Sequence, residues 1–178
     1  MLPVPPPTIF PPAGRWTPAA SGCVGTVGNF DGVHVGHAAI VRRLVAMGRR
    51  RGLPAVVVTF DPHPARILRP EAAPPPLTTP ARRAELLLDL GVDAVFVQPV
   101  DAGVVAIEAE AFYAGLLRGR LAVQGLVEGA DFHFGAGRRG TVALLADLCR
   151  ADGVELETVG AVEHDGAAVS SSRLRRLI

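Results

Sequence analysis

Short apolar runs alternate along this chain with stretches whose apolar residues recur at helical spacing. The first run, residues 22–28, is followed by helical spacing over residues 35–51. Residues 53–60 then form a nearly continuous apolar run, which is typical of a strand buried on both faces of a parallel sheet. The same patterns predict three further strands, over 94–97, 122–127 and 154–159, and helices over 80–90, 107–118, 140–151 and 170–178.

This alternation of strands and helices predicts an α/β fold, a five-stranded parallel sheet with helices on both faces and right-handed crossovers. A length of 178 residues fits one domain, which we place at residues 21–178. Residues 1–20 hold seven of the 16 prolines and are predicted to be an extended N-terminal arm that contributes no central strand. Residues 62–80 hold seven more and are too long for a simple connection.

The distinctive polar residues follow the carboxyl ends of the predicted strands. They lie in four stretches, residues 28–37, 61–64, 129–135 and 170–175. Ligands of parallel α/β sheets bind beyond this edge, at the point where the strand order reverses. Four separate stretches at one edge are difficult to explain by packing alone, so the sequence predicts a ligand site there.

The stretch from Gly28 to His37 joins a strand to a helix through a glycine-rich turn. Free backbone N–H groups and the macrodipole at a helix start favour a bound anion. His34 and His37 are three residues apart and would lie on the same face of the helix. Alternatively, the glycines serve only to reverse the chain and the histidines are ordinary surface residues.

Two other groups of residues are open to two interpretations. Ser170, Ser171 and Ser172 could donate to a phosphate or could simply cap a helix. The aromatic rings near the predicted edge could stack on a planar ligand or could close the ends of the sheet as core residues. These rings are Phe60, Phe132 and Phe134.

Composition excludes several classes of function. The net charge of +1 argues against a dedicated nucleic-acid binder. All 18 basic residues are Arg, so there is no Walker A lysine and no Schiff-base lysine. Cys23 and Cys149 are too few for a disulfide scaffold or a cysteine metal site and are predicted to be small core residues. With no membrane-length apolar run and no signal-peptide pattern, we expect a cytoplasmic protein without a membrane partner.

These residue types suit the transfer of a nucleotidyl group from a nucleoside triphosphate. That reaction needs positioning and charge stabilisation more than covalent catalysis, and the sequence offers no persuasive nucleophile. His34 and His37 would donate to the α- and β-phosphate oxygens. Ser170 and Ser171 would add hydroxyl and N–H donors, and Arg175 would place a cation on the β- or γ-phosphate.

Taken together, the motifs resemble the adenylyltransferase (FAD synthetase) module of the prokaryotic bifunctional riboflavin kinase/FMN adenylyltransferase family. The resemblance covers residues 22–178 and rests on several motifs in register. Its motifs G-x-F-D-G-x-H-x-G-H, T-F-x-P-H-P, L-T-T, G-x-D-F-x-F-G and S-S-T-x-I-R are matched by residues 28–37, 59–64, 77–79, 129–135 and 170–175.

The resemblance implies a Rossmann-like nucleotidyltransferase fold and the conversion of ATP and FMN to FAD and pyrophosphate with Mg²⁺. It does not assign any residue of the chain as a ligand of the metal. The implied catalytic residues are Asn29, His34, His37, Ser170, Ser171 and Arg175. The implied ATP-binding residues are Gly28, Asn29, Phe30, Asp31, Gly32, His34, Gly36, His37, Ser170, Ser171, Ser172 and Arg175. The implied FMN-binding residues are Phe60, Asp61, Pro62, His63, Pro64, Leu77, Thr78, Asp131, Phe132 and Phe134.

The sequence departs from the family pattern at four places. Asp61 replaces the usual Glu, Ser172 replaces the usual Thr, and residues 70–76 are lengthened by prolines. The chain also stops three residues after Arg175, where the family continues into a riboflavin kinase domain. We therefore expect no kinase domain and no kinase activity. The chain would then be either a stand-alone adenylyltransferase or a truncated protein, and a separate riboflavin kinase would be its partner.

Two other functions remain open at this stage. One is a nucleotidyltransferase of the same fold that acts on a pantetheine, nicotinate or glycerol phosphate, although it would leave residues 59–64 and 129–135 unexplained. The other is a sensor that binds ATP or flavin without turnover, although His34, His37 and Arg175 are all present.

Overall fold

A computed structural model describes residues 5–10 and 22–178. Its central sheet has six strands in the order β1-β4-β3-β2-β5-β8. The five strands from β2 onward in this sheet run parallel to one another, and β1 is antiparallel to β4. The six strands are β1 (Thr8–Phe10), β2 (Cys23–Val27), β3 (Ala55–Asp61), β4 (Ala94–Pro99), β5 (Val123–Gly129) and β8 (Glu155–Val159).

Two short hairpins lie outside the central sheet. They are formed by β6 (His133–Phe134) with β7 (Gly140–Thr141), and by β9 (Glu163–His164) with β10 (Ala167–Ala168). The helices are α1 (Val35–Arg51), α2 (Ala65–Leu68), α3 (Pro80–Asp89), α4 (Ala102–Val105), α5 (Ala109–Phe112), α6 (Val142–Asp152) and α7 (Ser171–Arg175).

The sheet is covered by apolar side chains on both faces, as the near-continuous apolar strands predict. Val56 and Val58 of β3 belong to one buried cluster, with Phe112 and Leu145. Val57 of the same strand belongs to a second buried cluster, which includes Leu44 of α1. Alternate residues of one strand thus supply two cores, which fixes the register of the sheet. The predicted five-stranded parallel sheet and its α/β class are confirmed.

The N-terminal arm contributes a strand that the sequence did not predict. Thr8–Phe10 pairs with β4 at the edge of the sheet, and Gln98 Nε2 donates to Pro5 O at 3.0 Å. Prolines are tolerated around an edge strand because one side of its backbone needs no ladder partner. The remainder of the predicted arm, residues 1–4 and 11–20, lies outside the described residues.

The structure also corrects two helix predictions and adds short helical turns to a predicted loop. The loop over 62–80 contains α2 and a 3₁₀ turn, Pro70–Ala72. The helix predicted over 107–118 is instead α5 followed by a π-helix, Tyr113–Arg120, and α7 ends at Arg175 before residue 178. A helix of four residues is too short to show a period, so the pattern could not reveal α2 or α4 (Ala102–Val105). Cys23 and Cys149 are buried free thiols, as predicted.

Candidate active site

The turn between β2 and α1 has an unusual backbone that brings several groups close together. Phe30 and Val33 have positive φ angles of 47° and 40°, which are uncommon outside glycine and strained for a β-branched residue. A Cβ on Gly32, whose φ is 81°, would lie 2.8 Å from Leu77 Cδ1. Thr59 Oγ1 donates to Asn29 O at 2.8 Å, so β3 supports the turn from one side.

His34 and His37 lie face to face at the start of α1. Their ring centroids are 3.6 Å apart with an interplanar angle of 16°, and the His37 ring is 5.0 Å from that of Phe30. His34 is the N-cap, and its Nδ1 accepts from the His37 backbone N–H at 3.3 Å. Because Nδ1 accepts, the proton of a neutral His34 is on Nε2, which can donate to a ligand. The spacing predicted that both rings share a face, and the structure confirms it.

Burial favours the neutral form of both imidazoles. Burial lowers the pKa of His34, and burial together with the nearby His34 lowers the pKa of His37 to about 3. The sequence left the protonation state open. Neutral rings donate one N–H each and add no net charge, so the positive charge at this site comes from arginine.

Asp31 is the centre of a buried hydrogen-bond network, which we call the Asp31 network. Its carboxylate accepts from the backbone N–H groups of Leu77 and Thr78 at 3.0–3.1 Å and from Thr78 Oγ1 at 2.9 Å. It also pairs with Arg83 Nη2 at 3.4 Å and with Arg175 Nη2. Burial alone would raise the pKa of Asp31, but these hydrogen bonds and the Arg83 charge bring it below its usual value.

The Asp31 network joins stretches that are distant in sequence. It connects the turn after β2, the residues before α3, α3 itself and α7. Asp31 is 2% exposed, so its side chain is enclosed by protein, and Phe30 is equally buried beneath the histidines. The roles of Phe30 and Asp31 as direct ATP contacts stay predictions.

Arg83 is a member of this network that sequence analysis missed. It is 5% exposed and donates to Thr59 Oγ1 and Phe60 O, both at 3.1 Å. Arg83 therefore links the ends of β2 and β3 through α3. A signal existed in the sequence, because Arg83 falls on the same buried face of α3 as Leu87.

The last helix reaches the turn through Ser171 and Arg175. Ser171 Oγ donates to Asp31 O at 2.8 Å, and Arg175 Nε donates to Pro75 O at 2.7 Å. Ser170 is the N-cap of α7 and its side chain accepts from the Arg173 N–H at 3.2 Å, which confirms the capping interpretation for Ser170. Ser172 is exposed beside them. The phosphate contacts of these residues stay predictions.

The second predicted loop lies next to the first. His63 Nδ1 accepts from Ala65 N at 3.0 Å, and burial and the nearby Arg175 charge lower the pKa of His63. Asp61 is exposed, and Pro62 and Pro64 are half-buried around His63. Leu77 and Thr78, which are predicted to bind FMN, donate their backbone N–H groups to the Asp31 carboxylate.

The loop after β5 contributes the aromatic rings. Phe132 and Phe134 stack with centroids 5.5 Å apart and an interplanar angle of 10°. Phe134 belongs to the buried core, which confirms the packing interpretation for that ring. Phe60 and Phe132 are half-buried against the same core and retain exposed surface, while Asp131 is exposed. Stacking on a ligand therefore stays open for Phe60 and Phe132.

Glu128, at the end of β5, is a second buried polar residue that the sequence analysis did not identify. Its carboxyl is buried, at 1% exposure, and accepts from the Val27 N–H at 2.8 Å. Burial raises the pKa of Glu128 well above its ordinary value, because it disfavours the charged form of the carboxyl. A glutamate within the apolar sequence Leu126-Val127-Glu128-Gly129 was the signal that could have revealed it.

Other features of the described residues contribute no competing site. No group of three or more His, Cys, Asp or Glu side chains in residues 5–10 and 22–178 could hold a metal ion. Within the same ranges, no helix has the length and apolar character needed to cross a membrane. A surface depression lined by Arg49, Leu53 and Asp93 lies at the amino ends of the strands, opposite the loops described above.

Comparison with known proteins identifies the family. Residues 17–173 match the FAD synthetase family model. The chain belongs to the FAD synthetase family. This match includes the histidine turn and the loops after β3 and β5, and it confirms the resemblance seen in the motifs.

Curated relatives support the same assignment. The chain is 37% identical over 157 residues to the bifunctional riboflavin kinase/FMN adenylyltransferase of Escherichia coli K12, covering 88% of this chain and 50% of the relative. It is 39% identical over 161 residues to the enzyme of that name from Pseudomonas fluorescens, covering 90% of this chain and 51% of the relative. The chain therefore spans about half the length of these relatives.

Solved structures agree on the fold of this FAD synthetase family member. A Streptococcus pneumoniae protein described as a macrolide-efflux protein has a TM-score of 0.77 and 27% identity, covering 89% of this chain and 51% of that one. The pantoate-β-alanine ligase of Francisella tularensis has a TM-score of 0.54 and 17% identity, covering 88% of this chain and 66% of that one, and shows the fold alone.

Proposed function

We propose that this chain transfers the adenylyl group of ATP to the phosphate of FMN, giving FAD and pyrophosphate. The observation that carries the proposal is the pair of stacked imidazoles at the N-terminus of the 17-residue helix α1. Such a site offers N–H donors and a favourable dipole to a triphosphate without a protein nucleophile. Membership of the FAD synthetase family supports the choice of FMN as the acceptor.

ATP would lie across the turn after β2 with its phosphates towards α1. The proposed ATP contacts are the turn from Gly28 to His37, Ser170–Ser172 and Arg175. Arg175 donates from Nε to Pro75 O and from Nη2 to the Asp31 carboxylate. Its third nitrogen, Nη1, could then donate to a β- or γ-phosphate oxygen. The Asp31 network would thus hold the guanidinium in place before the nucleotide binds.

FMN would approach from the loops after β3 and β5. The half-buried rings of Phe60 and Phe132 offer apolar surface for the flavin, and His63 lies within the electrostatic reach of Arg175. The FMN phosphate is largely ionised at neutral pH and attacks the α-phosphorus of ATP. The new P–O bond forms as the bond to pyrophosphate breaks, and no strong general base is required.

Mg²⁺ is the proposed metal of the reaction. It prefers octahedral oxygen ligands and is commonly held by substrate phosphates and water with one or two protein oxygens. Asn29 Oδ1 fits this role, because it is a buried oxygen that has no hydrogen-bond partner within residues 5–10 and 22–178. Asp31 does not fit, since its carboxylate is already occupied by the two arginines. The ion would neutralise charge on the phosphates.

Riboflavin has no phosphate to attack ATP, so it has to be phosphorylated to FMN before this reaction. We therefore propose a riboflavin kinase as the functional partner of this domain. The curated relatives are named for both activities.

Product analysis tests the proposed function. Purified protein with ATP and Mg²⁺ should convert FMN to FAD and pyrophosphate and should form no product from riboflavin. Chromatography with mass detection measures both. Product from a pantetheine phosphate, nicotinate mononucleotide or glycerol phosphate instead of FMN would contradict the proposal, and binding of ATP and FMN without product would indicate a sensor.

A further inference from the structure

Glu128 lies just beyond the point where the pairing of two strands ends. Strands β2 and β5 pair as far as Gly25 and Leu126. On its other side β2 stays paired with β3 as far as Val27 and Val58, and β5 stays paired with β8 as far as Gly129 and Val159. The backbone ladder between β2 and β5 therefore ends before the last residues of either strand.

The Glu128 carboxyl fills this gap. Oε1 accepts from the Val27 N–H at 2.8 Å, and Oε2 is 3.3 Å from Thr26 Oγ1. Val27 and Thr26 are 4% and 0% exposed, so water does not replace these partners. A side chain thus takes the place of the missing backbone ladder, and it satisfies an N–H that would otherwise be buried without a partner.

The two segments that Glu128 joins both lead directly into the proposed site. Val27 precedes Gly28, whose N–H donates to Val58 O at 3.0 Å, and the histidine turn begins there. Glu128 precedes Gly129, whose carbonyl accepts from the Phe132 N–H at 3.0 Å and starts the aromatic loop. Glu128 is therefore the side chain that links the base of the turn proposed for ATP to the base of the loop proposed for FMN.

We infer that Glu128 is a positioning residue for adenylyl transfer: its buried carboxyl fixes the separation of the ATP turn and the FMN loop without touching either substrate. The inference rests on the proposed function for its kinetic consequences. In-line attack requires the FMN phosphate and the α-phosphorus to be held in close alignment, and a misplacement of about 1 Å costs roughly 10²-fold in rate.

Substitution of Glu128 separates positioning from charge and from packing. Thr26 Oγ1 donates to Glu128 Oε2 in the wild-type protein. Glu128→Gln keeps an acceptor for the Val27 N–H, and its amide N–H can donate to the Thr26 hydroxyl in place of the original bond, so its kcat and both KM values should stay within about 3-fold of wild type. Glu128→Leu keeps most of the volume but loses both hydrogen bonds, and its kcat should fall about 10- to 100-fold. Thr26→Val removes only one bond and should show a smaller loss of the same kind. Leu145→Ala is the control, because it creates a core cavity in α6 while leaving the Glu128 contacts intact.

Amide hydrogen exchange at Val27 provides a readout that does not need turnover. Exchange at Val27 should be at least about 10-fold faster in Glu128→Leu than in Glu128→Gln or in Leu145→Ala. The inference is overturned if Glu128→Leu turns over like Leu145→Ala, or if Glu128→Gln loses as much turnover as Glu128→Leu. If Glu128→Leu does not fold, the turnover of Thr26→Val is compared with that of Leu145→Ala instead. Equal turnover in these two variants would overturn the inference.

The outcomes distinguish this inference from the proposed function. If the wild-type protein makes no FAD, the proposed function fails, and Glu128 is then judged on ATP binding by calorimetry and on Val27 exchange. Weaker ATP binding and faster exchange in Glu128→Leu, with both retained in Glu128→Gln, would support positioning of the turn. Unchanged ATP affinity and unchanged exchange would overturn it.

Discussion

Replacing His37 by alanine is expected to lower kcat for FAD formation by about 10²- to 10³-fold while the protein remains folded. The size of the effect is that of removing one aligned donor from a site that stabilises developing charge. His37 stacks on His34 and lies near the N-terminus of α1, so its ring is held before the substrate arrives. The affinity for FMN should change much less than kcat, because the lost interaction is strongest in the transition state.

A matched histidine variant separates this effect from general damage. His164, on the β9–β10 hairpin, has a side chain that is 75% exposed, and His164→Ala should retain wild-type turnover. Steady-state kinetics with FMN and ATP, together with circular dichroism of both variants, provide the measurement. Turnover of His37→Ala within about 3-fold of wild type would show that the turn does not act on the phosphates.

Asp31→Asn is expected to lower the free energy of unfolding by about 3 kcal/mol, because it leaves buried Arg83 without its counter-charge. Asparagine keeps an oxygen that can accept from Leu77 and Thr78, so the change is mainly one of charge. Arg83 is 5% exposed and cannot be solvated by water in place. Urea denaturation near pH 7 measures the loss.

An exposed ion pair provides the control for this prediction. Asp147 and Arg150 are 2.6 Å apart, but their side chains are 69% and 74% exposed, and Asp147→Asn should change the free energy of unfolding by no more than about 0.5 kcal/mol. The double variant Asp31→Asn, Arg83→Met should lose less stability than the sum of its single variants, because it removes both charges. Equal losses in Asp31→Asn and Asp147→Asn would contradict a buried charge network.

The lowered pKa of Asp31 predicts how the stability of the folded protein changes at acid pH. The pKa of Asp31 in the folded protein lies below its ordinary value of 3.8, so the unfolded chain binds the proton more tightly. The contribution of Asp31 to stability is therefore complete above pH 3.8 and is lost as the pH falls through the lowered pKa. Asp31→Asn should lack this part of the acid transition.

The sequence predicted those parts of the molecule that local patterns encode. The strand, glycine turn and helix over residues 23–51 follow from apolar spacing and from Gly28 and Gly32, and the structure has them at those positions. The two histidines stack because His34 is the N-cap of α1, and its side chain folds back over the first turn to accept from the His37 N–H. The polar stretches meet at one edge because the strands that precede them are parallel.

Side-chain partnerships across long separations could not be predicted in the same way. Asp31 matches a family motif, but its pairing with Arg175 spans 144 residues and depends on how α7 packs on the turn. Arg83 and Glu128 occupy positions where the apolar pattern predicts core residues, and only the folded structure shows the partners that make burial tolerable. Strand β1 is three residues long and lies among prolines, which gives no alternation to detect.

The most direct test of adenylyl transfer to FMN uses FMN whose terminal phosphate oxygens carry ¹⁸O. Incubated with unlabelled ATP and Mg²⁺, the protein should give FAD that retains all of this label and pyrophosphate that contains none, as measured by mass spectrometry. That result would show that an FMN phosphate oxygen attacks the α-phosphorus of ATP and that pyrophosphate leaves. Absence of FAD, or label in the pyrophosphate, would contradict the reaction proposed for this site.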